Sequence, residues 1–150
     1  MNSELRITGV PPLLRNQRMK ELGTTRAKDI RQRSFDYTLR AVKLYQHLQK
    51  QRVGWILGKQ FLRAASSIGA NIEEAQAGES RSDFIHKLGI ARTEARESLY
   101  WLRVMAAANI IPQRRIEPLM QETEELLRVI TSIILKTKRN SGGLSKLCNS

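Results

Sequence analysis

Two histidines, His47 and His86, one cysteine, Cys148, and a set of glutamates are the side chains that could do acid–base or metal chemistry. A zinc or di-iron site needs His, Cys or carboxylate ligands at short regular spacings, and this chain has no Glu-x-x-His pair and no second cysteine. A phosphate-cradling glycine loop is also missing: Gly69 falls inside a helical pattern and Gly78 at a break between two of them. Glu74, Glu94 and Glu97 could form a carboxylate site only if they lined an open pocket with raised pKa values. The reading preferred here is a structural polar network of Asn71, Glu74, Arg81, Glu94 and Glu97, in which Arg81 and the Glu94/Glu97 pair serve as partners for Asn71 or Glu74 across a helical hairpin. No catalytic residue, metal site or cofactor is assigned.

The cations carry a stronger signal. The 26 Lys and Arg residues against 14 Asp and Glu give a net charge of +12, a field that attracts polyanions. Residues 1–60 hold 13 basic and 4 acidic side chains, and the remaining 90 hold 13 and 10. Within the basic half, Arg33, Arg40, Lys43, His47 and Lys50 recur at steps of seven, three, four and three, the spacing of one helix face. Arg92, Arg96 and Arg103 form a second line at steps of four and seven. Arg33, Arg40, Lys43, Lys50, Arg92, Arg96 and Arg103 are the candidate nucleic-acid-binding residues. A solvated face is the plain alternative for such a stripe. Trp55, Tyr100 and Trp101 could stack on bases, although an aromatic at the edge of a helical stripe more often packs or makes a subunit contact.

The elements that position these residues are helices. Phe61, Ala64, Ala65, Ile68, Ile72 and Ala75 fall on one face, as do Phe84, Leu88, Ala91, Ala95, Leu99, Leu102 and Ala106, with Gly78, Glu79 and Ser80 between the two sets. That pattern predicts an antiparallel hairpin whose second helix is capped by Ser80 and Asp83. A preceding helix is predicted over about 28–52, with Phe35, Leu39, Val42, Tyr45 and Leu48 as its apolar stripe and its connection at Val53–Leu57. A fourth follows Pro112, with Ile116, Leu119, Leu126, Ile130, Ile133 and Ile134 as its stripe. The predicted fold is all-α: an antiparallel up-down-up-down four-helix bundle over 26–139, a mobile basic N-terminal arm over 1–25 and a disordered tail over 140–150. With a single cysteine and no apolar run of bilayer length, a cytoplasmic location and no membrane partner are expected.

The run Ser67-Ile68-Gly69-Ala70-Asn71-Ile72 with Glu74, then Ser80-Arg81, Asp83-Phe84 and Ala91–Trp101 with Glu94, Glu97 and Leu102, resembles the bacterial four-helix-bundle family. That family includes proteins encoded in intervening sequences of large-subunit ribosomal RNA genes and the accessory variability determinant of diversity-generating retroelements. The resemblance covers roughly residues 30–137. It implies a ring-like homopentamer without enzymatic activity and, for the retroelement relatives, a basic surface that binds structured nucleic acid, RNA foremost, and a reverse transcriptase. Where the family commonly has Ala-Glu-Gly after Asn-Ile, this chain has Glu73-Glu74-Ala75, so the helix is expected to run on before its turn. A protein–protein scaffold, its charge meeting an acidic partner, is the alternative to nucleic-acid binding.

Overall fold

A computed structural model describes the backbone of residues 12–145 and the side chains of residues 30–140. Four helices follow one another: α1 (Pro12–Leu48), α2 (Arg52–Ala77), α3 (Arg81–Ala107) and α4 (Gln113–Ser145). Each helix packs on the next, and α1 also meets α4, which gives the expected up-down bundle.

The α2–α3 hairpin forms as its periodicity predicts. Phe61, Ala64, Ala65, Ile68, Ile72 and Ala75 are buried on α2, and Leu88, Ala91, Ala95 and Leu102 on α3. Ser80 caps α3: its Oγ accepts from the Asp83 amide at 3.1 Å and donates to Asp83 Oδ2 at 2.7 Å. At the other end of α3 the backbone turns through Asn109, whose φ of 55° lies in the left-handed region that Asn tolerates. The Asn109 and Ile110 amides bond back to the Ala106 and Met105 carbonyls at 3.1 and 2.9 Å, satisfying the helix end.

Three boundaries differ from expectation. Helix α1 begins at Pro12, inside the stretch expected as an arm. Proline is well placed at a helix start, and the following residues are mostly good helix formers even though they lack an apolar period. Residues 1–11 of that arm lie outside the described residues. The first connection falls at residues 49–51, and Gly54 belongs to α2. Here the glycines serve close packing: a Cβ built on Gly58 would stand 2.9 Å from Leu48 Cδ1. Helix α4 continues to Ser145, through Gly142 and Gly143, into the expected tail, whose last five residues, Cys148 among them, lie outside the described part.

The buried face of α1 is also rotated from the predicted one. Ile30, Ser34, Tyr37, Ala41 and Leu48 are buried, whereas Phe35 and Leu39 are 58% and 47% exposed. Close approach explains the difference. A Cβ on Gly69 of α2 would lie 3.3 Å from Thr38 Oγ1 and 3.6 Å from the Ser34 carbonyl, so α1 sets Ser34 and Thr38 against α2 while Phe35 and Leu39 face outward.

Tyr37 joins three helices at the centre of the core. Its hydroxyl lies 2.6 Å from both Ser98 Oγ of α3 and Thr123 Oγ1 of α4. Thr123 donates its one hydroxyl proton to the Leu119 carbonyl at 2.7 Å. Tyr37 therefore donates to Thr123 and accepts from Ser98. The ring meets Phe61 edge-on at 6.3 Å between centroids. Burial pushes the Tyr37 phenol up to about 12, against the opposing pull of its two hydroxyl partners.

Candidate nucleic-acid interface

Bundle topology brings the end of α1, the start of α2, the end of α3 and the start of α4 to one end of the molecule. Eight cations sit there, Arg40, Lys43, Lys50, Arg52, Lys59, Arg103, Arg114 and Arg115, against one carboxylate, Glu117. All eight are exposed, and none forms an ion pair among the described residues. Arg40 and Lys43 of α1 face Arg115 of α4 across a groove of about 220 Å³ floored by Leu44, Ile116 and Leu119. Three like charges around one concavity raise the local potential and favour an anion there.

The described ion pairs lie outside this set of eight cations, although Arg96, Lys136, Lys138 and Arg139 are also exposed and in no ion pair among the described residues. Arg33, half-buried, reaches Glu122 at 3.0 Å and Glu125 at 4.0 Å. Arg31 clasps Glu73, the glutamate that departs from the family pattern, at 2.5 Å, and that hydrogen bond holds the Glu73 carboxyl below its ordinary range. Arg63 meets Glu97 at 2.5 Å, Lys87 meets Glu74, and Arg128 meets Glu125 at 2.8 Å. These pairs tie α1 to α2 and α4, and α2 to α3.

The predicted binding residues thus separate. Arg40, Lys43, Lys50 and Arg103 belong to the unpaired end, whereas Arg33 is engaged by α4. Arg96 lines a second groove of about 490 Å³ between α3 and α4, with Arg128 and Arg139. Arg92 is half-buried, and its Nε makes no hydrogen bond. Sequence spacing along single helices missed Arg52, Lys59, Arg114 and Arg115, because the end is assembled from four helices. One signal could have found part of it: no acidic residue occurs between Asp36 and Glu73.

The predicted polar network takes a different form. Glu97 instead accepts from Arg63 and, at 3.3 Å, from Trp101 Nε1. Glu74 pairs with Lys87, and Asn71 donates to the Ser67 carbonyl one turn back at 2.8 Å. Glu94 Oε2 is buried without a hydrogen bond. Among the described residues no group of three or more His, Cys, Asp or Glu could hold a metal ion, and no helix is long and apolar enough to cross a membrane.

Comparison with known proteins agrees with this architecture. A crystal structure from Bacteroides thetaiotaomicron, of a protein of unknown function in the S23 ribosomal protein family, is 36% identical. The match covers 73% of this chain and 97% of that one, with a TM-score of 0.70. No protein of the curated set matches. Residues 26–132 match the family model of the 23S rRNA-intervening sequence protein. The chain therefore belongs to the 23S rRNA-intervening sequence protein family.

Proposed function

We propose that this protein is a non-catalytic, self-associating adaptor that binds structured nucleic acid, RNA foremost, through the basic end of its bundle. The observation that carries this reading is charge concentration: eight exposed cations against one carboxylate at one end, none of them in an ion pair among the described residues. Phosphate contacts are individually weak, but repetition around an oligomer raises the effective concentration of each further contact. Self-association, a homopentamer by the family resemblance, is supported by Phe35 and Leu39, which present an exposed apolar strip on α1. The same resemblance suggests a reverse transcriptase as the protein partner.

Size-exclusion chromatography with light scattering, at low and high salt and with and without nuclease, tests the reading. An oligomer that carries RNA at low salt and sheds it at high salt supports it. A clean oligomer at every salt, together with a protein complex that survives nuclease, favours the scaffold alternative, in which the exposed α1 strip and the basic end meet an acidic protein.

A further inference from the structure

Trp55 stands apart from the other aromatic residues. It is 42% exposed, lies outside the core cluster and makes no side-chain hydrogen bond among the described residues. Trp101, by contrast, is half-buried against the core, donates to Glu97 and meets the Tyr100 ring edge-on at 5.1 Å. Arg52, Trp55, Ile56 and Lys59 follow one another at i, i+3, i+4 and i+7 of α2, and all four are exposed. Gly54, Gly58 and Phe61 on the other side of the helix are buried and fix its rotation. The exposed face is therefore a large aromatic surface with a cation one turn to either side.

We propose that Trp55 is a stacking platform for an unpaired nucleobase, with Arg52 and Lys59 holding the phosphates that flank it. The proposal rests on the nucleic-acid reading of the basic end and adds to it a preference for single-stranded or looped-out segments. A tryptophan face stacks on any base, but only one that is not already stacked inside a duplex, and neighbouring cations track the backbone. Charge argues against a second copy as the occupant. A two-fold pairing of this face would set Arg52 and Lys59 against their own counterparts, with no acidic side chain between Asp36 and Glu73 to offset them.

The chain holds two tryptophans, so Trp101→Phe in the full-length protein leaves Trp55 as the sole reporter. Its emission is followed while a single-stranded uridine oligonucleotide, or a duplex RNA of equal length, is added at low salt. The proposal expects quenching by the single strand and little by the duplex. It also expects Trp55→Ala to weaken single-strand affinity roughly 5- to 150-fold while duplex affinity is kept, and Trp55→Phe to restore most of the loss. If both RNAs bind and Trp55→Ala moves neither, the stacking role is overturned and the basic-end reading stands. If neither RNA binds, both readings fail. A fall in particle mass for Trp55→Ala in light scattering would assign the residue to a subunit contact and overturn the proposal.

Discussion

Replacing Tyr37 by phenylalanine tests the core that holds α1 against α3 and α4. The ring and its contact with Phe61 are kept, so the change isolates the hydroxyl. Removing it leaves Ser98 without its acceptor and Thr123 Oγ1 without its donor, both fully buried. Each buried polar group left unsatisfied costs about 1–3 kcal/mol, and partial rearrangement of two small hydroxyls brings the expected loss to about 2–3 kcal/mol. Adding Ser98→Ala removes one orphan, so the double variant should lose about 1 kcal/mol less than the sum of the singles. Urea unfolding followed by far-ultraviolet circular dichroism, at one fixed protein concentration, reads these differences as midpoint shifts at constant slope. The phenol adds a pH signature. Its folded value, raised to about 12 from about 10, means that the unfolded chain releases the proton first, so stability is fully kept below pH 10 and falls as pH rises toward 12. At about 1.36 kcal/mol for each tenfold change in proton affinity, the wild-type chain should lose about 2–3 kcal/mol over that range that the Phe variant does not. A Tyr37→Phe chain within about 0.5 kcal/mol of wild type, with the same alkaline fall, would refute the hydrogen-bonded core.

Three further substitutions probe the frame. Asn109→Ile should cost about 1–2 kcal/mol, since a β-branched residue is strained at a φ of 55°, whereas Asn109→Gly should be neutral or slightly stabilising; thermal unfolding separates them. Gly89→Ala should stabilise by about 0.5–1 kcal/mol in urea, because it gains helix propensity at a position where a Cβ meets nothing within 4 Å. Arg33→Ala should cost about 1 kcal/mol by leaving Glu122 half-buried without its partner, while Arg31→Ala, which breaks an exposed pair, should leave the urea midpoint unchanged.

The hairpin was legible in the sequence because burial on α2 and α3 largely follows the apolar period, Ser98 being the polar exception. On α1 the period misled: it favours large apolar residues such as Phe35 and Leu39, whereas the face that packs is set by how closely Gly69 lets the backbones approach. Tyr37 escaped notice for a related reason, since its partners Ser98 and Thr123 come from helices far away in the chain. In the polar network, Glu74 and Glu97 take as partners Lys87 and Arg63, cations across the hairpin that spacing alone did not single out. Of the candidate interface, Arg40, Lys43, Lys50 and Arg103 were readable as cations on helix faces. Arg115, which completes the groove with Arg40 and Lys43, required the topology that brings the start of α4 beside the end of α1.

The central claim is that the unpaired end, and not the net charge of +12 as a whole, binds nucleic acid. The direct test measures RNA affinity against salt concentration for the wild-type chain, for Arg40→Gln/Lys43→Gln/Arg115→Gln, and for the equally charge-reduced Arg96→Gln/Arg128→Gln/Arg139→Gln. The account predicts that the first triple weakens binding and flattens the slope of log affinity against log salt by about one for each phosphate no longer neutralised, while the second changes both far less. Equal losses from the two triples, or none from the first, would contradict it.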